Sequence, residues 1–195
     1  MLMKFNGFLT KAFLFGMLLL GGMLFAQERQ TMKEDTKMVG GAAMYPGKDI
    51  VSNAVNSMDH TTLVAAVKAA GLVETLQGEG PFTVFAPTNA AFDKLPDGTV
   101  ASLLQPGNQQ QLQSVLTYHV VAGRYSAADL VSAIEKGMGV AKLTTVNGAT
   151  LEAMKDGDKV VIKDTAGNRS TVTIADVNQS NGVIHVVDAV VLPVM

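Results

Sequence analysis

The sequence predicts an α+β fold in which a helical first half is tied to a stranded second half. Three observations predict it. Between residues 49 and 135, apolar side chains recur at helical spacing in short segments broken by caps and glycines. After Gly139 the apolar period drops from about 3.6 to about 2 residues. Between the helical segments stands the run Phe82-Thr83-Val84-Phe85, aromatic and β-branched, fenced by Pro81 and Pro87. Good strand formers lie mainly far along the chain, so this short strand must pair across a long sequence separation. It is the hub that joins the two halves.

The elements follow in order. Residues 1–26 read as a secretory signal peptide: Lys4 and Lys11 supply the positive end, residues 12–25 are apolar and uncharged, and Ala26 suits the cleavage position. The run is shorter than the ~20 apolar residues a bilayer span takes, so no stable span is expected after cleavage. Residues 27–48, polar and then glycine-rich, read as a spacer, and the folded domain is expected over 49–193. Asp49 caps a helix over 50–57. Asp59 caps another over 61–70, with Leu63, Ala66, Val67 and Ala70 on one face and Gly71 as its left-handed stop. Thr88 or Asn89 caps a helix after the hub. Short helices are expected over 98–104 and 109–116, the second presenting Leu112, Val115 and Leu116 inward. It leads into a strand, Tyr118-His119-Val120-Val121. Ser126 caps a helix over 127–135. Strands are expected over 141–146, 149–154, 159–163 and 170–177, the first two joined by a two-residue turn at Asn147-Gly148. The final run, 183–193, is apolar on both faces. It reads as a central strand and as the best partner for the hub.

Composition narrows the function. The chain has 195 residues, 48% hydrophobic and 16% charged, which suits one domain plus an appendage. It has no cysteine, which excludes disulfides, thiolate chemistry and attachment of lipid at a cysteine. A net charge of −2 leaves no nucleic-acid footprint, so no nucleic-acid partner is expected. His60, His119 and His185 do not share an element at metal-ligand spacing, so no metal and no cofactor is expected. His119 and His185 lie in apolar strands, where ring nitrogens bonded inside the fold explain them more simply than catalysis. Asp156, Asp158 and Asp164 lack the spacing of a calcium loop and read as solvated turns. There is no nucleophile elbow and no phosphate-binding loop, so no catalytic residue is nominated.

Three blocks together resemble the fasciclin-domain family. Phe82-Thr83-Val84-Phe85-Ala86-Pro87-Thr88-Asn89, continuing to Phe92, looks like its first signature. Asn181-Gly182-Val183-Ile184-His185-Val186-Val187-Asp188 looks like its second. Leu116-Thr117-Tyr118-His119-Val120-Val121 resembles its tyrosine-histidine motif. The resemblance implies a wedge of two β-sheets with helices packed around one side. It further implies a non-enzymatic, extracellular or periplasmic role in adhesion, with a cell-surface or matrix polysaccharide or protein as partner. In animal relatives the tyrosine-histidine block is linked to receptor recognition, which carries over here to Tyr118 and His119, flanked by Leu112 and Leu116, as binding residues. Adjacent residues on a strand face opposite ways. His119 is therefore expected inside and Tyr118 near the surface, as a contact. Two rival readings are a stress-related envelope protein that binds a small ligand in an apolar pocket, and an unrecognised hydrolase using His119 or His185.

Overall fold

The computed structural model describes residues 36–193, so the expected signal peptide lies outside the described residues. The described part opens with a hairpin, β1 (Lys37–Val39) and β2 (Ala42–Met44). Three short helices follow: α1 (Ile50–Ala54), α2 (Thr61–Ala69) and α3 (Val73–Gln77). The hub strand is β3 (Phe82–Pro87). Then come α4 (Asn89–Phe92), α5 (Thr99–Leu103), α6 (Gln109–Tyr118), β4 (Val120–Ala122) and α7 (Ala127–Lys136). The second half is stranded: β5 (Val140–Thr144), β6 (Thr150–Asp156), β7 (Lys159–Lys163), β8 (Arg169–Gln179) and β9 (Gly182–Val187).

The hub pairs as its isolation in sequence demands. β3 lies parallel to β9, from Phe82 opposite Gly182 to Pro87 opposite Val187, and antiparallel to β4 on its other edge. The sheet order is β4-β3-β9-β8-β7-β6-β5. The two sheets of the wedge share β8. Its residues 169–171 pair with β7 and its residues 172–179 with β9. Between Val172 and Val177 the register shifts twice, and Asp176 takes φ +56°. Such bulges bend a strand and increase its twist, which lets β8 turn from one wall into the other. The walls meet again where Val146 N–H donates to the Val120 carbonyl at 2.7 Å, beside a bridge between Val121 and Thr145.

Period two along β3 and β9 divides the interior. Val84, Ala86, Ile184 and Val186 point into a core formed with α1–α6, while Phe85 and Val187 point into a core formed with β5–β8 and α7. The two central strands approach unusually closely at their start. A β-carbon on Gly182 would lie 2.2 Å from the Phe82 carbonyl oxygen, so only glycine fits there.

Four local expectations are corrected. Residues 37–44 of the expected spacer form the β1–β2 hairpin, and Val39 and Met44 are buried in the helix-side core; the two apolar side chains were hidden in a glycine-rich, polar setting. Asp59 does not cap α2. Asn89 does so from across the fold, accepting from Thr62 N–H at 3.0 Å. The helix expected to stop at 116 runs through Tyr118, and the strand begins only at Val120. The β5–β6 turn is longer than two residues: Thr145 N–H still donates to the Ala149 carbonyl at 2.9 Å in register with the ladder, while Gly148 N–H closes back on the Thr145 carbonyl at 2.9 Å and leaves residues 146–148 as the loop.

Candidate functional site

The tyrosine-histidine block sits where the two cores meet. In α6, Leu112, Val115 and Leu116 recur at helical spacing and bury against the helix-side core. Tyr118, the last helical residue, turns its ring into the other core, and its hydroxyl donates to the Thr150 carbonyl at 2.9 Å. His119 is the C-cap in right-handed helical conformation. Its Nδ1–H donates to the Val115 carbonyl at 2.8 Å, and its Nε2 accepts from Val191 N–H at 3.2 Å. The ring thus fills both hydrogen-bonding positions as a neutral tautomer. Burial disfavours the cation and pushes its pKa down to about 4, against the upward pull of the Val115 carbonyl and Asp164.

All four residues expected to bind are therefore buried: Leu112, Leu116, Tyr118 and His119. The expectation of an exposed Tyr118 is overturned, since none of its surface is open to solvent. It rested on a strand; the block is the end of a helix, where consecutive side chains diverge by about 100° rather than 180°.

The other histidines complete a comparison. His185 donates from Nε2 to the Tyr125 carbonyl at 2.8 Å and accepts at Nδ1 from Asp176 N–H at 3.3 Å; its ring stacks on Phe85 with centroids 5.7 Å apart. The partners of His119 and His185 are backbone groups, not a serine or aspartate side chain. His60 pairs at Nδ1 with Ser57 Oγ at 2.8 Å, a contact sequence reasoning missed although the two are three residues apart. Burial lowers its pKa, against the upward pull of the Ala86 carbonyl and of Asp59; no group meets Nε2 in good hydrogen-bonding geometry. Among the described residues this is the one buried side-chain nitrogen or oxygen left without a partner.

His60 and His119 both line a cavity of ≈ 80 Å³ between α1, α2, α3 and the β3–β9 pair. Its remaining wall is chiefly aliphatic, including Ile50, Leu63, Val67, Leu76, Val84 and Ile184. Elsewhere, Met38, Tyr45, Val55 and Met58 are large apolar side chains exposed along the β1–β2 hairpin and the α1 region, Met58 to 71%. Among the described residues no helix is long and apolar enough to cross a membrane.

The family profile of the fasciclin domain matches residues 58–193. A Synechocystis sp. protein, sll1483, is 47% identical over 177 residues, covering 90% of this chain and 91% of that protein. The immunogenic protein MPB70 of Mycobacterium bovis is 37% identical over 145 residues, covering 72% of this chain and 66% of its own length. Among solved structures, a FAS1 domain pair from the insect cell adhesion molecule Fasciclin I superposes with a TM-score of 0.68 at 20% identity. That match covers 76% of this chain and 52% of the solved one.

Proposed function

This chain belongs to the fasciclin-domain family, and from that premise we propose that it is a non-catalytic adhesion or binding module. Its partner in this reading is a polysaccharide or protein of a cell surface or matrix. The observation that carries the reading is the shared fold with domains of a cell adhesion molecule. The buried tyrosine-histidine block serves as support in this proposal. The contact is assigned to the exposed apolar side chains Met38, Tyr45 and Met58, because large apolar groups left in water on a folded chain mark interaction surfaces when they gather. Export with cleavage after Ala26 would bring the domain to such partners.

The test is a glycan and matrix-protein array probed with residues 27–195. Saturable binding to at least one component is expected, retained by Tyr118→Phe and weakened by the pair Tyr45→Ser and Met58→Ser. An array without binding, or binding indifferent to the Tyr45 and Met58 pair, removes this assignment. Intact mass of the exported protein checks the cleavage.

A further inference from the structure

The cavity between α1, α2, α3 and the β3–β9 pair joins an apolar interior to a charged rim. Its ≈ 80 Å³ exceeds several times the ~10–15 Å³ that one water needs. The wall is apolar throughout, so the polar residues that border it turn carbon toward the space. A cavity of this kind stays dry and takes an apolar group of matching size. Lys68, Thr75 and Val146 border it and are exposed, so the space reaches the surface. Among the described residues, Lys68 is the one charged side chain that borders it. Because the wall carries no polar surface, Lys68 lends it the alkyl stem and keeps the ammonium in water at the rim. Among the described residues that ammonium has no carboxylate within ion-pair distance.

We propose that this cavity binds a short-chain alkyl carboxylate, with the chain inside and the carboxylate in water beside Lys68. Each part of the ligand answers a part of the site. The apolar wall offers a polar atom no partner, so everything that enters is hydrocarbon. The volume is about half of the ~150 Å³ at which an apolar cavity takes benzene, which limits the chain to a few carbons. One ammonium at the rim answers one negative charge, so the head is a monoanion. Because the head stays in water, no charge is desolvated on binding. Met38, Tyr45 and Met58 do not border the cavity, so this site is separate from the adhesion face, and either can fail without the other.

The experiment is nuclear magnetic resonance titration of the folded chain with butyrate, acetate and butylammonium. Butyrate should give saturable shifts at the methyls of Leu63, Val67 and Ile184, which border the cavity, and leave those of Leu151 and Ile162 in the strand-side core in place. Acetate, a head without a chain, should move none of them. In Lys68→Met, which keeps the stem and removes the charge at an exposed position, butyrate should bind ~2–5-fold more weakly, the worth of one exposed ion pair, while butylammonium binds as before or better. Butyrate without saturable shifts at the cavity methyls overturns the proposal, as do equal shifts in the strand-side core. So does acetate that matches butyrate, and so does a ratio of butyrate to butylammonium affinity that Lys68→Met leaves unchanged.

Discussion

The two sides of the β3–β9 pair share their central strands and are built in opposite ways. On the strand side, antiparallel β5–β8 and the ten-residue α7, held by a Ser126–Asp129 capping box, enclose Phe85, Leu130, Leu151, Ile162 and Val187 without residual exposure. On the other side, α2 and α6 apart, the helices are short. Helices α1, α3 and α5 have five residues each, too few to hold themselves, since isolated helices below ~12–15 residues are marginal. Side-chain amides fix them instead. Asn181 accepts from Ile50 N–H and donates to the Leu76 and Gly78 carbonyls; Asn89 takes Thr62 N–H and donates to the Met58 carbonyl; Asn53 ties Tyr45 to Gln179. Positioning many short pieces by point contacts leaves an imperfect fit, and the cavity lies on that side. Long paired elements fill space; short clamped ones leave room.

The largest expected effect breaks the comparison if it fails. Phe85→Ala should destabilise by ~3–5 kcal/mol, because it removes a fully buried ring from the strand-side core, at the point where that core borders the cavity, and opens a void. Leu63→Ala, on the cavity wall, should cost less, near ~2 kcal/mol, because the helices around an existing space relax more readily. Urea titration measures both. Equal losses would mean that the two sides pack alike, and a loss under ~1 kcal/mol for Phe85→Ala would place it outside the core.

The same contrast explains what the sequence revealed. Strand periodicity was readable because burial alternates along β5, β6 and the start of β8, and the distant partner of the hub was readable because β9 is apolar on both faces. Helix starts on the clamped side were readable where the cap is local, Asp49 for α1 and Thr88 for α4, and not where it is remote. The cap of α2 comes from Asn89, twenty-seven positions beyond Thr62, and no local pattern encodes that. The signature residues Asn89, Asn181 and Asp188 were visible as a motif, but their work is to bond backbone: Asp188 accepts from Thr171 N–H at 2.7 Å. The tyrosine-histidine block was found and its exposure misjudged, because the helix outran its expected end by two residues. The cavity had no signal in sequence, since an empty space is a property of how distant side chains meet.

Acid should sharpen the difference between the sides. Burial lowers the pKa of His60, His119 and His185 below the usual histidine value. When unfolded, these rings take protons near pH ~6.5; folded, His119 does so only at about 4. The contribution of His119 to stability is therefore full above pH ~6.5, falls as pH drops toward about 4, and is lost below it. For His119 alone the loss is on the order of 3 kcal/mol. Two of the three rings line the cavity, so amides of α1 and α2 should lose hydrogen-exchange protection at pH ~4.5 before those of β6 and β7. Uniform loss of protection, or stability unchanged between pH ~7 and ~4.5, would contradict this account.

The smallest expected effect concerns the side chain that joins the two sides. Tyr118 belongs to a helix of the clamped half, yet its ring lies in the strand-side core and its hydroxyl bonds the Thr150 carbonyl at the start of β6. Tyr118→Phe keeps the ring and its packing and removes one hydrogen bond. Because Thr150 is only half-buried, water can replace the lost donor, so the cost should be ~0.5–1.5 kcal/mol. Truncation to alanine would be far more damaging and would confuse folding with binding; the phenylalanine variant separates them. Its melting temperature should fall slightly, and its retention on the best array component should equal that of the unaltered chain. If melting holds and retention collapses, the hydroxyl reaches a partner that the folded state conceals, and the domain must open to bind. If both hold within error, the tie between the cores rests on the ring alone. A fully buried ring that supports the junction of two cores is expected to change stability before it changes adhesion, and that order of effects distinguishes a support from a contact.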